Sequence, residues 1–203
     1  MYIEVIISLL IGYCLGSIPF ALVIGRVFFK TDVRNHGSKN LGGSNTGRVL
    51  GKKAGLAVMT CDLLKATIAI YLASHFENAH ITMILAGLGA SIGHCYPLFA
   101  GFKGGKAVAA LYGFLFGMAL FTECSIFTFI VPLIIFMAVL YCTKIVSLSS
   151  ISGAIGSSIY IMLTNDFWLI WVVSVILTLI VVVRHKPNIQ RMINGTENKI
   201  SWM

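Results

Sequence analysis

Long apolar segments alternate with short polar ones along the whole chain. An apolar segment of about 20 residues is long enough to cross a bilayer as a helix. The pattern predicts seven such spans, near residues 2–24, 54–73, 80–100, 107–122, 125–143, 147–164 and 167–183. No Lys or Arg precedes the first apolar run, so we expect it to remain as a span and not to be cleaved as a signal peptide. Residues 1–203 are therefore predicted to form a single all-α membrane domain, a bundle of seven transmembrane helices.

Composition agrees with an integral membrane protein. Of the 203 residues, 58% are hydrophobic and only 11% are charged, whereas about a quarter of the residues are charged in soluble domains. The five cysteines are scattered through apolar sequence without a C-x-x-C pair, which indicates neither a disulfide framework nor a metal site. No cofactor, metal or nucleic-acid partner is expected.

Charge is distributed unevenly between the predicted loops. If the loops alternate sides, one side receives Glu4, Glu77, Glu123 and Asp166 without any Lys or Arg, and the other receives all but one of the 15 basic residues. The positive-inside rule then places the basic loops and the C-terminus in the cytoplasm and the N-terminus outside. Topology accounts for the charges but not for the glycines, hydroxyls and amides among them, so we expect the functional site on this face.

Residues 34–48 form the longest polar segment of the basic face. Glycines allow backbone N–H groups to converge on an anion, and arginine presents a planar pair of donors to phosphate or carboxylate oxygens. The segment combines these features in Arg34, Gly37, Ser38, Asn40, Gly42, Asn45 and Arg48. It is therefore a candidate anion site, the alternative being a flexible connector.

A second segment, Gly101–Lys106, is short, basic and rich in glycine, and it is entered from His94. It precedes an apolar helix, whose N-terminal N–H groups would add to the charges of Lys103 and Lys106 in binding an anion. Ala107 stands where a nucleotide-binding P-loop has Ser or Thr, so we do not expect a nucleotide. The alternative is that both lysines simply extend to the membrane interface.

Two further segments complete the basic face. Ser147 and Ser150 begin the sixth span, where serines most often cap or pack helices but can also donate to a substrate. Pro187 is predicted to end the seventh span and to begin a short interfacial helix. That helix would bring His185, Asn188 and Arg191 together, with Glu197 following.

Asp62 and Lys65 are charged residues inside the second predicted span. They lie three residues apart, on one helix face, so pairing would lower the cost of burying each charge. A structural ion pair is the favoured interpretation, and a proton relay is the alternative.

Several motifs occur in an order typical of one family. They are Gly16–Phe20, Asp32–Arg34, Gly37–Asn45 with Arg48, Asp62–Lys65, Gly93–Phe99, Phe102–Ala109, Val146–Leu148, Arg184–Arg191 and Gly195–Glu197. Through them the chain resembles, nearly end to end, the bacterial acyl-phosphate:glycerol-3-phosphate acyltransferase family. It departs from the family pattern at Lys39, usually glycine, at Gly43-Ser44, commonly Ala-Thr, and at Ala110, typically threonine.

The resemblance implies a membrane acyltransferase of phospholipid synthesis. It would transfer a fatty acyl group from acyl phosphate to the sn-1 hydroxyl of glycerol 3-phosphate, giving lysophosphatidate and phosphate. Catalytic roles would fall to Ser38, Arg48, His185 and Asn188, which would hold glycerol 3-phosphate, while Lys103 and Lys106 would hold acyl phosphate. The general base would be His185 or the donor's own phosphate. The substrate-binding set would be Gly37, Asn40, Gly42, Asn45, His94, Lys103, Gly104, Gly105, Lys106, Ser147, Ser150, Arg191 and Glu197.

The alternatives are less consistent with the sequence. None of the five histidines is followed five residues later by Asp, which argues against the acyltransferase class that uses His-x-x-x-x-Asp and acyl-CoA. A transporter for phosphate or phosphate esters would be expected to show internal repeats and charges near the midplane. We therefore expect a multi-pass enzyme of the bacterial cytoplasmic membrane, with its active site facing the cytoplasm and no obligate protein partner.

Overall fold

A computed structural model describes residues 2–200 of the chain. These residues form ten α-helices joined by short loops. Their bounds are α1 Tyr2–Gly16, α2 Phe20–Phe29, α3 Gly43–Leu50, α4 Lys52–Ala73, α5 Ala79–Cys95, α6 Val108–Phe121, α7 Phe127–Thr143, α8 Val146–Thr164, α9 Trp168–Arg184 and α10 Lys186–Ile193.

The predicted spans all fall on apolar helices, but the helices differ in length. Four segments of the described chain are long and apolar enough to cross a membrane: Tyr2–Phe29, Lys52–Ala73, Ala79–Ala100 and Val146–Thr164. A fifth is obtained if α9 and α10, which meet at 57°, count as one span. The remaining two, α6 and α7, have 14 and 17 residues. The fold is thus that of a multi-pass membrane protein.

The first predicted span is interrupted near its middle. Helix α1 ends at Gly16 and α2 begins at Phe20, so the helix is broken within the predicted span, although the two parts together form one candidate span, Tyr2–Phe29. Pro19 explains the break, because proline has no N–H to donate and disfavours helical geometry in the residue before it. The carbonyl oxygen of Ile18, left without a helical partner, accepts a hydrogen bond of 2.9 Å from Lys65 Nζ.

Helices α1 and α5 pack closely through glycines. A Cβ added at Gly89 or Gly93 of α5 would overlap the backbone of α1, and one added at Gly12 or Gly16 of α1 would overlap the backbone of α5. The small residues at Gly89 and Gly93 therefore form a helix-packing face. Larger side chains fill the interior beside this contact, among them Ile70, Met83, Ile84, Leu111 and Phe114, all at most 2% exposed.

The polar segments of the basic face meet at one end of the bundle. Asn40 Nδ2 donates to the Gly104 carbonyl at 3.4 Å, and Ser147 Oγ donates to Glu197 Oε1 at 2.8 Å. These contacts join segments that lie 64 and 50 residues apart in sequence. The short loops between helices thereby place all four predicted polar segments around one site.

Candidate active site

Asn45, in the first turn of α3, organises the first polar loop. Its Oδ1 accepts a hydrogen bond of 2.8 Å from the Ser38 backbone N–H, and its Nδ2 donates to the carbonyls of Val33 and Asn40, each at 3.1 Å. The residue is 2% exposed. Its amide is therefore committed to the loop backbone, and Asn45 shapes the loop.

Two residues of this loop adopt left-handed backbone geometry. Gly37 has φ +58°, and a Cβ there would overlap Oδ1 of Asn45. Lys39 has φ +59°, which is costly for a residue with a side chain. Gly42 precedes α3 in extended geometry, where a Cβ would lie 3.1 Å from Asn40 Oδ1. The glycines let the loop turn tightly and leave the Ser38 side chain exposed.

Asp32 holds the two arginines before the loop. Its Oδ2 accepts from Arg26 Nη2 at 2.8 Å and from Arg34 Nη2 at 2.7 Å. The hydrogen bond from Arg34 is the main reason that the pKa of Asp32 lies well below its usual value. Arg34 is thus fixed at the edge of the loop.

The second loop is held by hydrogen bonds on both sides. The N–H groups of Gly104 and Gly105 donate to the carbonyls of Cys95 and His94 at 3.1 and 2.9 Å. Their own carbonyls accept from Arg184 Nη2 and Nε at 3.1 and 3.0 Å. The Arg184 guanidinium also lies over the Tyr96 ring, 5.2 Å from its centroid. The sequence placed Arg184 in the polar segment after the last span, but its hydrogen bonds to the second loop were not predicted.

A cleft of about 570 Å³ lies between the two loops. Four cationic side chains line it, and none of the described residues along its walls is acidic. Such a cleft favours an anionic ligand, and the exposed Lys103 is one of its lining residues. The lining residues are Arg34, Ser38, Lys39, Asn40, Phe102, Lys103, Gly104 and Arg184.

A cluster of five side chains, which we call the Lys106 cluster, connects the second loop to the C-terminal segment. Lys106 Nζ donates to Asn188 Oδ1 at 2.6 Å, and Asn188 Nδ2 donates to Glu197 Oε1. The same Glu197 oxygen accepts from Ser147 Oγ, while Oε2 accepts from Arg191 Nε at 2.7 Å. All five residues were predicted as site residues, and the structure brings them into one hydrogen-bonded network.

Electrostatics in the Lys106 cluster depend on burial and on neighbouring cations. Burial is the main reason that the pKa of Lys106 falls to about 8, with Glu197 opposing the shift and Arg191, Arg184 and Arg48 adding to it. Burial alone would raise the pKa of Glu197, but its hydrogen bonds from Asn188, Ser147 and Arg191 lower it. Glu197 is therefore ionised, and Arg48, exposed on the last turn of α3, acts on the same region.

His185 lies between α9 and α10 and is 3% exposed. Its Nδ1 is 2.8 Å from the Val181 carbonyl, which can only accept, so Nδ1 carries the proton and Nε2 has a free lone pair. Burial lowers the pKa of His185 to about 4. The imidazole is consequently neutral at pH 7, and the low pKa makes it a weak base whose Nε2 can accept a hydrogen bond. Helix α10, with Pro187 in its first turn, begins where the sequence predicted.

Two predicted substrate-binding residues lie away from the cleft and the Lys106 cluster. Ser150 Oγ donates to the Val146 carbonyl of its own helix at 2.8 Å. His94 is buried beneath the second loop, with Nδ1 3.5 Å from Oδ1 of Asp62. The same carboxylate oxygen lies 2.8 Å from Lys65 Nζ, which confirms the predicted ion pair within α4. His94, Asp62 and Lys65 thus lie beneath the second loop, on its side toward the interior of the bundle.

Comparisons with known proteins agree on one family. Residues 6–195 match the family described as Glycerol-3-phosphate acyltransferase. A Glycerol-3-phosphate acyltransferase of Listeria monocytogenes serotype 4a (strain HCC23) is 43% identical over the full length of both chains. Another, from Streptococcus pneumoniae (strain CGSP14), is 43% identical over 97% of this chain and 93% of its own.

Solved structures of a similar protein share the fold. PlsY (YgiH), described as an integral membrane glycerol 3-phosphate acyltransferase, has a crystal structure in the glycerol 3-phosphate form. That structure superposes with a TM-score of 0.88 at 29% identity, covering 97% of this chain and 96% of its own. The lysophosphatidic acid form of PlsY gives a TM-score of 0.85 at the same identity. By its sequence over nearly the full length and by its fold, the chain belongs to the glycerol-3-phosphate acyltransferase family.

Proposed function

We propose that the protein transfers a fatty acyl group from acyl phosphate to the sn-1 hydroxyl of glycerol 3-phosphate, producing lysophosphatidate and phosphate. The observation that carries the proposal is the cationic cleft adjoining the Lys106 cluster, because a reaction between two phosphate compounds needs two neighbouring anion sites. Solved PlsY structures in glycerol 3-phosphate and lysophosphatidic acid forms support the same acceptor and product.

The two substrates are assigned to different sides of the site. Ser38, Arg48, His185 and Asn188 hold glycerol 3-phosphate and its reacting hydroxyl, as catalytic residues. Lys103, Lys106 and the backbone of the second loop hold acyl phosphate. Because Lys106 is hydrogen-bonded to Asn188, the two phosphates share a wall of the site. Glu197 accepts hydrogen bonds from Ser147 and Arg191, and its hydrogen bond from Asn188 fixes the Asn188 side chain.

The chemistry is direct acyl transfer from a mixed anhydride. The sn-1 oxygen attacks the acyl carbonyl carbon, a new C–O ester bond forms, and the C–O bond to phosphate breaks. The hydroxyl proton passes to Nε2 of His185 or to the donor's own phosphate. Because the pKa of His185 lies near 4, the departing phosphate, which becomes more basic as the C–O bond breaks, is the stronger base, and His185 Nε2 orients the hydroxyl. The cations and N–H groups of the second loop stabilise the developing oxyanion and the departing phosphate. Holding both substrates in attack geometry supplies roughly 7–11 kcal/mol in favourable cases.

The site is assigned to the cytoplasmic end of a seven-span bundle. In this topology α1 with α2 forms the first span, α4 to α9 form the other six, and residues 1–203 make one domain. The N-terminus lies outside the cell and the basic loops lie in the cytoplasm, where glycerol 3-phosphate is soluble. The uneven distribution of Lys and Arg supports this orientation. In a bacterial cytoplasmic membrane, the acyl tail would lie among the apolar helices.

A phosphate-release assay on purified protein tests the proposed function. Phosphate should be released from acyl phosphate only when glycerol 3-phosphate is added, and acyl-CoA should not replace the donor. In liposomes the protein should not accumulate glycerol 3-phosphate. Accumulation without consumption of acyl phosphate would instead establish the transporter alternative.

A further inference from the structure

Asp62, Lys65 and His94 form a buried polar cluster, which we call the interior triad, within the helix bundle. Oδ1 of Asp62 lies 2.8 Å from Lys65 Nζ and 3.5 Å from His94 Nδ1. Lys65 also donates to the Ile18 carbonyl at the break between α1 and α2. The side chains of the three residues are 2–5% exposed. Buried charges are costly, so a triad at this depth calls for an explanation beyond packing.

The triad lies directly beneath both polar loops. A small cavity between them is lined by Asp62, Lys65 and His94 together with Leu41 of the first loop and Gly104 of the second. Leu41 is 4% exposed and anchors the first loop in a second apolar cluster. The triad side chains therefore adjoin the loops that form the cationic cleft.

His94 contacts the second loop in two ways. Its carbonyl oxygen accepts a hydrogen bond of 2.9 Å from the Gly105 N–H. Its ring lies against the Cα of Gly105, so closely that a Cβ added there would overlap Nε2 and its two neighbouring ring carbons. The ring thus sets how near the loop backbone can approach the bundle, one residue before Lys106.

We propose that His94 is a positioning residue. Its ring, placed by Asp62 and Lys65, supports the second loop in the position from which Lys106 donates its hydrogen bond to Asn188. This role rests on the proposed function, because its value to the enzyme is the placement of Lys106 in the acyl-transfer site. It differs from a purely structural role, in which the triad stabilises the helices without affecting the loop. The two differ in how substitutions at residues 94 and 105 combine.

A double-mutant cycle between His94→Ala and Gly105→Ala tests the proposal. Gly105→Ala should lower kcat/KM at least tenfold, since the added methyl overlaps the ring and displaces the loop. His94→Ala should also lower kcat/KM, since the loop loses its support. In the double variant the methyl enters the space left by the ring, so kcat/KM should exceed that of Gly105→Ala by at least fivefold. Melting temperatures of all four proteins, measured alongside, separate loop placement from unfolding.

Gly104→Ala is the matched control. A Cβ at Gly104 would overlap the His94 backbone carbonyl and lie 2.5 Å from the Pro97 ring, so shortening the His94 side chain cannot relieve it. Adding His94→Ala to Gly104→Ala should therefore give no recovery. Losses that multiply in the first pair, or equal recovery in both pairs, would overturn the proposal.

A second variant keeps the test decisive if His94→Ala does not fold. His94→Asn removes most of the ring but retains a polar group near Asp62, and the same recovery with Gly105→Ala is expected. Turnover by the unmodified enzyme tests the proposed function separately. An active enzyme without recovery in either cycle would contradict only the positioning role.

Discussion

The surroundings of Lys106 lower the pKa of its ammonium group. Burial and the nearby Arg191, Arg184 and Arg48 bring its pKa to about 8, and Glu197 opposes this shift. An ordinary lysine stays charged far above this pH, with a pKa near 10.4. The charge that is proposed to hold a phosphate is therefore lost within the range in which enzymes are commonly assayed.

We predict that kcat/KM falls as pH rises through about 8, because Lys106 deprotonates and the anion site loses a positive charge. The measurement is the pH profile of kcat/KM between pH 6 and 10. Lys106→Arg is the control, since a guanidinium stays protonated over this range. It should lower the maximum but remove the alkaline fall; an unchanged fall would assign it to another group.

The backbone φ angle of Lys39 explains why this position usually holds glycine. Sequence comparison marked it only as a departure from the usual glycine. Its φ of +59° explains why glycine suits the position, and a side chain there costs roughly 1–2 kcal/mol. The Lys39 side chain lines the cleft, where its charge adds to those of Arg34, Lys103 and Arg184.

Individual site residues were predictable where their chemistry was distinctive. Lys106, Asn188, Arg191 and Glu197 were named as site residues from charge and motif, and the structure joins them in one hydrogen-bonded network. The supporting role of Asn45 could not be predicted, because an amide that binds backbone and one that binds substrate look alike in a sequence. The inward position of His94 was missed for a different reason: it depends on how closely α4 and α5 pack, which a sequence does not specify.

Helices α3 and α4 depend on glycines for their close contact. A Cβ added at Gly55 of α4 would lie 2.6 Å from the Gly47 Cα and 2.8 Å from the Gly43 carbonyl oxygen. A Cβ at Gly47 would lie 3.6 Å from the Gly55 Cα, an ordinary contact. The two sides of one interface thus differ in their tolerance of a methyl group, and α3 carries Arg48 to the site.

We predict that Gly55→Ala lowers the stability of the purified protein by about 1–3 kcal/mol, because the backbones of α3 and α4 must separate. Gly47→Ala should be neutral or stabilising by up to about 1 kcal/mol, since alanine is favoured over glycine inside a helix. Thermal unfolding in detergent measures both. Equal destabilisation by the two substitutions would contradict the described asymmetry of the contact, and no destabilisation by Gly55→Ala would show that α3 and α4 are not as close as described.

Helices were the most predictable elements because long apolar runs have few alternatives. Pro187 correctly indicated the start of α10, and the break at residues 17–19 was missed although Pro19 marked it. Hydropathy does not reveal such a break, because the residues on both sides of it are apolar. The short α6 and α7 likewise follow from where the chain turns at each end, which hydropathy does not specify.

Across the whole molecule, the bundle gathers polar segments from distant parts of the sequence. Lys106 and Asn188 are 82 residues apart, and Arg184 is 80 residues from Gly104, yet each pair is hydrogen-bonded. Charge asymmetry in the sequence predicted that these segments share a face. It could not predict the pairs, because these depend on the order in which the helices pack.

The central claim is that the Lys106 cluster and the adjoining cleft form a single acyl-transfer site. Its most direct test is lysophosphatidate formation from acyl phosphate and glycerol 3-phosphate, quantified by mass spectrometry for the purified wild type and for Lys106→Ala at matched folded content. The wild type should form lysophosphatidate and phosphate in equal amounts, and Lys106→Ala should be at least 100-fold slower. Absence of lysophosphatidate with the wild type, or near-normal rates with Lys106→Ala, would contradict the account.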